Sequence, residues 1–280
     1  MQLADKTCLI VGASGAIGSA VASRFYREGA RLALTRRLGN SNFAAMNLPR
    51  PMASTGDSRI ETLDLDVRHW NDVQTAVARV ERRWGPIHVL VNCSGVLGPV
   101  GPVESAPVDA WREAIEINLI GSFYLVRAVV PSMRAVGGGK IILFSGGGAA
   151  YARPFFTAYS SSKAAVVRFA ESLAGELSGH NIQVNAIAPG PVKSRMWEEL
   201  RARAAAAGPR AIEELSQMDV TGGVKPECAA SLALFLASNS SEGLTGRLIS
   251  AVHDPWEEMA SRIPQIMASD RGTLRRIPLD

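Results

Sequence analysis

Short apolar runs alternate with amphipathic stretches along most of this chain. The apolar runs predict buried strands at residues 7–11, 31–35, 60–64, 89–92, 140–144, 182–187 and 248–250. The stretches with helical periodicity predict helices at residues 16–28, 71–84, 109–133, 157–178 and 226–237. Strands and helices that alternate in this way join through right-handed crossovers. The pattern therefore predicts an α/β fold in three layers, with a doubly wound parallel sheet between helices.

Two stretches interrupt this alternation. Residues 39–58 are rich in glycine and proline and predict a long loop. Residues 193–224 are charged, rich in alanine and helical in pattern, which is typical either of a segment that covers a site or of a plain pair of surface helices. Neither stretch reads as a linker and no internal repeat occurs, so we expect a single domain over residues 1–280, with a C-terminal extension at 251–280.

Composition narrows the function classes. A chain of 280 residues with 47% hydrophobic and 20% charged residues has enough apolar material for one large core. The net charge of +4 comes from scattered arginines, so we do not expect a nucleic-acid partner. We also expect no membrane span, no secretory signal and no metal, since no apolar run reaches 18 residues and the histidines are dispersed. The three cysteines, Cys8, Cys93 and Cys228, are odd in number and far apart in the sequence, which favours a reducing cytoplasm.

A glycine-rich loop follows the first predicted strand. Gly12, Gly15 and Gly18 recur at intervals of three, and a helical pattern begins at once. Glycines let the backbone approach a pyrophosphate closely, and the N–H groups at a helix N-terminus bind the anion. The loop therefore predicts a dinucleotide site, in which Ser14, Ala16 and Ile17 also belong to the binding segment.

A tyrosine and a lysine stand four residues apart on a predicted helix. Tyr159 and Lys163 share one face there. An ammonium group beside a phenol favours the phenolate and lowers its pKa, so we expect Tyr159 to exchange protons near neutral pH. Ser145 lies upstream and can hold a substrate oxygen.

Together these motifs resemble the short-chain dehydrogenase/reductase superfamily over roughly residues 4–250. The matching strings, in the family's order, are Gly12 to Gly18, Leu65-Asp66-Val67, Asn92-Cys93-Ser94-Gly95, Ile117-Asn118-Leu119, Ser145, Tyr159 to Lys163 and Asn185 to Val192. The resemblance implies a Rossmann-like fold and a catalytic tetrad of Asn118, Ser145, Tyr159 and Lys163. In it Tyr159 is the acid or base, Lys163 also binds the nicotinamide ribose, and Asn118 holds an irregular helix that seats a water.

The resemblance also assigns a cofactor site. Arg36 and Arg37 follow the second strand, where an acid would bind the ribose of NAD(H), so we predict that NADP(H) is favoured, with NAD(H) as the alternative. The resemblance implies further cofactor residues. They are Asp66 and Val67 at the adenine, Asn92, Ser94 and Gly95 in a segment that passes close to the cofactor, and Pro189, Gly190, Val192 and Ser194 at the nicotinamide.

Two departures from the family pattern affect the site. Gly146 stands where relatives usually carry the catalytic serine, so Ser145 is one residue further from Tyr159 than the commonest spacing. Ala16 stands where many relatives have a glycine. We still predict that Ser145 is the hydroxyl that polarises the substrate.

The predicted function is hydride transfer between a nicotinamide and a carbonyl or secondary alcohol substrate. Epimerase or dehydratase chemistry that uses the nucleotide transiently, and a non-catalytic NADP(H) sensor, stay open as alternatives. The apolar and aromatic residues of 193–224 suggest a partly hydrophobic small-molecule substrate. Apolar positions on several faces of the helices at 109–133 and 157–178 predict a homo-oligomer, a dimer or tetramer, as in relatives that pair these helices.

Overall fold

The computed structural model describes residues 1–37, 57–277 and 279. Seven strands in this part of the chain form one parallel sheet in the order β3-β2-β1-β4-β5-β6-β7. The strands are β1 (Thr7–Val11), β2 (Arg31–Arg36), β3 (Ile60–Asp64), β4 (Val89–Asn92), β5 (Gly139–Phe144), β6 (Ile182–Ala188) and β7 (Leu248–Ser250). The chain moves outward from β1 in one direction and then returns to build the other half from β4. The predicted doubly wound parallel sheet is confirmed.

Helices connect the strands. The α-helices are α1 (Ala16–Arg27), α2 (Trp70–Trp84), α3 (Val108–Ile115), α4 (Gly121–Ala135), α5 (Thr157–Glu176), α6 (Arg195–Ala202), α7 (Gly208–Thr221), α8 (Pro226–Ala237) and α9 (Ile263–Met267). Short 3₁₀ turns occupy Val103–Ser105, Ser178–His180, Ala204–Ala206, Asn239–Ser241 and Trp256–Arg262.

Two hydrophobic cores lie on opposite faces of the sheet. Helices α1 and α8 pack together on one face. Helices α2, α4 and α5 cover the other face. The strands between them are buried on both sides, which is why they read as continuous apolar runs. A third, smaller cluster lies beneath α6 and α7 and includes Phe156 and Leu200.

Several predicted boundaries shift by one or two residues, and two differences bear on the site. Strand β2 continues to Arg36, because Arg36 still pairs in register with Asp64 of β3. The helix predicted at 109–133 is instead α3 and α4 joined by a π-helical turn, Glu116–Ile120. In a π turn the backbone hydrogen bonds join residues five apart and not four apart. The buried Asn118 is the central residue of this turn. Most of the loop predicted at 39–58 lies outside the described residues.

By length and composition alone, the helical stretch Val108–Ala135 among the described residues is apolar enough to cross a membrane. That test is also passed by core helices of globular proteins, and this stretch packs against α2 and α5.

The C-terminal extension folds back over the edge of the sheet. Trp256 packs on Phe235 of α8, with ring centroids 6.2 Å apart. The backbone N–H of Leu248 in β7 donates to the carbonyl of Gly272 at 2.7 Å. Arg247 fastens this segment, since its Nη2 donates to the carbonyls of Ile266 and Ser269 at 3.2 and 3.0 Å. The extension therefore covers one edge of β7.

Candidate active site

A cavity of about 700 Å³ opens at the carboxyl edge of the sheet. It lies where the strand order reverses between β1 and β4, the usual ligand position in doubly wound folds. The predicted site residues that line it are Ser14, Gly15, Ala16, Ile17, Gly18, Ser94, Gly95, Ser145, Tyr159, Lys163, Pro189, Gly190, Val192 and Ser194. The structure thus brings together the glycine loop and the acid/base pair.

The glycine loop fits a dinucleotide phosphate. Gly12 has a φ of +74°, and a Cβ on it would lie 2.9 Å from the backbone nitrogen of Ser94. A Cβ on Gly18 would lie 2.3 Å from the carbonyl oxygen of Gly12, so neither position tolerates a side chain without a shift. Helix α1 follows Gly15 with no side-chain cap and no acidic residue in its first turn. Its first N–H groups are therefore available to an anion in the cavity.

Tyr159 and Lys163 are both buried on α5. The Lys163 Nζ lies 5.8 Å from the centroid of the Tyr159 ring and donates to the carbonyl of Phe144 at 2.9 Å. Burial lowers the pKa of Lys163 to about 8. Burial also raises the pKa of Tyr159 to about 12, and the neighbouring charge that opposes this is that of Arg153. The expectation that Lys163 lowers the pKa of Tyr159 is therefore wrong for this state of the protein, because desolvation of the phenolate dominates.

Asn118 connects three parts of the site. Its Oδ1 accepts from the backbone N–H of Val96 at 2.9 Å, and its Nδ2 donates to the Val96 carbonyl at 3.0 Å. The same Nδ2 donates to Ser162 Oγ at 2.9 Å, which ties the π turn to α5. The predicted irregular helix at Asn118 is present.

Ser145 continues the ladder beyond β5. Its backbone N–H donates to the carbonyl of Ile187 at 2.8 Å. The Oγ is buried and has no hydrogen-bond partner among the described residues. A Cβ on the next residue, Gly146, would lie 2.2 Å from the hydroxyl oxygen of Tyr159. The glycine therefore lets the backbone approach the tyrosine hydroxyl closely, and the serine hydroxyl is available for a ligand.

The residues predicted at the adenosine end lie outside the cavity, at the carboxyl ends of β2 and β3. Arg36 Nε donates to Asp64 Oδ1 at 2.7 Å, and Arg37 is exposed. Asp66 accepts from its neighbour Arg68, which lowers the pKa of the Asp66 carboxyl. Val67 is buried against α4, where a Cβ on Gly121 would lie 2.7 Å from its Cγ2. Arg36 and Asp66 thus already have charged partners in this structure.

The turn after β4 is internally bonded. Asn92 Oδ1 accepts from both the backbone N–H and the hydroxyl of Ser94, at 3.0 and 2.6 Å. A Cβ on Gly95 would lie 3.2 Å from Asn118 Oδ1 and 3.3 Å from Lys163 Nζ. Across the cavity, Val192 forms a parallel bridge with Val224, which closes the loop that contains Pro189 and Gly190.

Sequence reasoning missed several polar residues of the cavity wall, and three of them lie close together. Tyr151, Arg153 and Glu214 line the cavity. Arg153 Nη2 donates to the Glu214 carboxylate across 61 residues of sequence. No local motif marks this pair, because it forms only when α7 folds over the segment between β5 and α5.

Comparison with known proteins finds relatives over most of this chain. Residues 6–205 match the family model described as short chain dehydrogenase. The chain is 33% identical over 249 residues to the 3-oxoacyl-[acyl-carrier-protein] reductase FabG of Thermotoga maritima, a match that covers 89% of this chain and 97% of that protein. It is 32% identical over 247 residues to trans-4-hydroxycyclohexanecarboxylate dehydrogenase of Sinomonas cyclohexanicum, with coverage of 88% and 90%.

The fold is also that of a solved relative. A crystal structure of a single-site variant of actinorhodin polyketide ketoreductase with NADPH superposes with a TM-score of 0.78. That match is 25% identical in sequence and covers 88% of this chain and 95% of the ketoreductase.

The chain belongs to the short-chain dehydrogenase/reductase family. It is an oxidoreductase that uses a nicotinamide cofactor and acts on alcohol or carbonyl groups.

Proposed function

We propose that the protein prefers NADP(H) and interconverts a small carbonyl compound and its secondary alcohol through Asn118, Ser145, Tyr159 and Lys163. The observation that carries this proposal is the position of Tyr159 and Lys163 in one cavity with the uncapped N-terminus of α1. The glycine loop would hold the pyrophosphate of the cofactor, which supplies or accepts the hydride when bound.

Each residue of the tetrad has a separate role in this proposal. Tyr159 donates its hydroxyl proton to the carbonyl oxygen, or takes the alcohol proton in reverse. Ser145 donates a hydrogen bond to the same oxygen from its unpartnered Oγ. Lys163, a cation held at the Phe144 carbonyl, binds the nicotinamide ribose and favours ionisation of the tyrosine when the site is loaded. Asn118 positions the backbone of Val96 and the helix α5.

The preference for NADP(H) rests on Arg36 and Arg37. A guanidinium forms charge-assisted, two-point contacts with a phosphate. Arg36 already bonds Asp64, so the 2′-phosphate must share it, whereas Arg37 follows at the exposed end of the strand. Among relatives both kinds occur by name, an NADPH complex in the ketoreductase and an NAD-dependent glycerol dehydrogenase in Listeria innocua.

Fluorescence titration of both cofactors tests this preference. A charge-assisted contact is worth about 1.5–3 kcal/mol, so we expect NADPH to bind roughly tenfold to hundredfold more tightly than NADH. Arg37→Ala should remove most of that difference, while Arg82→Ala, an exposed arginine on α2, should not. Equal dissociation constants in the unaltered protein would contradict the proposal.

Consumption of the cofactor distinguishes the proposed reduction from the alternative functions. A carbonyl substrate should consume reduced nicotinamide stoichiometrically, as read by its absorbance. Turnover without net consumption would indicate epimerase or dehydratase chemistry, and binding without turnover would indicate a sensor.

We further propose a cytoplasmic homo-oligomer. The three cysteines are free, which suits a reducing compartment. An aromatic patch of Trp70, Phe123, Tyr124 and Phe169 spans the outer surface of α2, α4 and α5. Phe123 is 39% exposed there, and an exposed aromatic cluster on helices is a typical interface surface.

A further inference from the structure

Arg153 is a buried cation in the wall of the substrate cavity. Its side chain is 10% exposed and its guanidinium stacks on Phe156, with Cζ 3.9 Å from the ring centroid. A Cβ on Gly147 would lie 3.3 Å from Arg153 Nη1, so the cation lies beside the glycine segment that approaches Tyr159. The tetrad described above does not use this residue.

The charges around Arg153 do not balance. Glu214 of α7 accepts from Arg153 Nη2 through Oε2 and from Arg210 Nε at 3.3 Å through Oε1. One carboxylate therefore serves two guanidinium groups, and this three-residue cluster carries a net charge of +1. Water screens the charge of Arg210, which is 57% exposed, whereas the charge of Arg153 is buried and shares its carboxylate partner. A second anion beside Arg153 would therefore be favourable.

A donor of Arg153 is also unused. Its Nε is buried and has no hydrogen-bond partner among the described residues. A buried donor without an acceptor is destabilising, so a ligand oxygen at this position would be favourable. A guanidinium binds a carboxylate at two points, and a substrate carboxylate would share the Arg153 guanidinium with Glu214, which already accepts from Nη2.

We propose that Arg153 selects substrates that carry a carboxylate as well as the reacting carbonyl or alcohol group. The carboxylate binds the Arg153 guanidinium, while Glu214 stays paired with Arg210 at the rim, where Arg210 is 57% exposed. One carboxylate neutralises the excess charge of the cluster, whereas a phosphate ester would exceed it. The substrates are therefore oxo acids and the corresponding hydroxy acids. This inference rests on the proposed reaction and specifies its substrate class.

Paired substrates test the inference directly. We would measure kcat/KM with NADPH for a series of linear oxo acids of increasing chain length. The methyl ester of each acid, which has the same carbonyl without the charge, is measured beside it. We expect the acid to exceed its ester by roughly tenfold to hundredfold at the best chain length. Arg153→Met should abolish that ratio by raising KM for the acid, with little change for the ester. Arg82→Met removes an exposed arginine on α2 outside the cavity lining and is the matched control, which should retain the preference.

The outcomes separate this inference from the proposed function. Turnover of esters and acids at equal rates would overturn the role of Arg153 and leave the reductase proposal standing. Equal losses for both substrates in Arg153→Met would assign Arg153 a structural role only and overturn the inference. If Arg153→Met fails to bind NADPH, inhibition of the unaltered enzyme by a simple carboxylate and by its neutral amide decides, since equal inhibition contradicts the proposal. No turnover of any carbonyl compound would count against the reductase proposal itself.

Discussion

Two opposing effects act on the pKa of the Tyr159 hydroxyl. Burial holds its pKa at about 12, while the positive charge of Arg153 acts in the other direction. The phenol is therefore a neutral proton donor in the ligand-free site, ready for the reduction of a carbonyl. A bound substrate anion would partly cancel the charge of Arg153 and keep Tyr159 in its protonated form.

Replacement of Tyr159 by Phe should abolish turnover and spare cofactor binding. Only the hydroxyl is lost, and a positioned proton donor contributes about 10²–10⁴-fold to rate. We expect kcat to fall at least a hundredfold, with the dissociation constant of NADPH unchanged in fluorescence titration. A variant that kept much of the original kcat would show that another group transfers the proton.

Replacement of Ser145 by Ala should lower kcat/KM roughly a hundredfold or more, since loss of one donor to a developing oxyanion costs about 2.7–4 kcal/mol. Ser160→Ala is a matched control, because the Ser160 hydroxyl is also buried without a partner among the described residues but lies outside the cavity lining. Near-normal efficiency of the Ser145 variant would mean that the reaction proceeds without this serine.

The buried Lys163 predicts a particular dependence of stability on pH. Its pKa of about 8 in the folded protein lies below its unfolded value of about 10.4. Between these values the unfolded lysine is protonated and the folded one is neutral, so this residue makes the free energy of unfolding rise with pH. Tyr159 acts oppositely only above about pH 10.

Urea unfolding of the unaltered protein and of Lys163→Met between about pH 8 and pH 10 checks this. We expect the stability difference between them to shift in favour of the unaltered protein as pH rises. A difference that stays constant over this interval would place the titration of Lys163 elsewhere.

At the scale of elements, the π turn between α3 and α4 depends on one side chain. Asn118 bonds both backbone groups of Val96 and the Ser162 hydroxyl. Asn118→Ala should leave buried backbone groups unpaired and reduce the free energy of unfolding by roughly 1–3 kcal/mol, with a large loss of kcat. Urea denaturation and steady-state kinetics measure both effects, and unchanged stability would show that water replaces the amide.

Most elements of this fold follow from hydrophobic pattern alone. The strand at 7–11 and the helix at 226–237 were predicted at their observed limits, because apolar runs and proline boundaries are local signals. Hydrophobic pattern gave one continuous helix at 109–133, and only the family resemblance predicted an irregular helix at Asn118. The sequence at Glu116–Ile120 has helical periodicity, and the π turn there accompanies the contact of Asn118 with Val96. The backward course of the extension at Leu248 and Gly272 also depends on tertiary contacts and not on periodicity.

Residues of the candidate site were likewise predicted where the signal is local in sequence and missed where it is not. Tyr159, Lys163 and the three glycines were found because their chemistry depends on spacing within one element. Arg153 and Glu214 were missed because they meet only in three dimensions. The direction of the Tyr159 pKa was also wrong, since burial is a property of the assembled core.

At the scale of the whole molecule, the aromatic patch predicts self-association. Light scattering of the unaltered protein at micromolar concentration should give a mass above the 29.8 kDa of one chain. Phe123→Asp places a charge in the patch and should yield the monomer. Val220→Asp, at an 84% exposed position on α7, is the control and should leave the assembly intact. A monomeric unaltered protein would contradict the proposed oligomer.

The backbone contact between Leu248 and Gly272 affects the tendency of this molecule to aggregate. The exposed side of a terminal strand is a template on which a foreign strand can grow, and native proteins protect it. Here the chain's own last segment occupies part of that template, held by Arg247. A molecule clipped between Ser269 and Gly272 would therefore retain its catalytic groups, yet expose the backbone N–H of Leu248 at the edge of the sheet. Proteolytic damage to this segment would first be seen as slow precipitation of an enzyme that is still active.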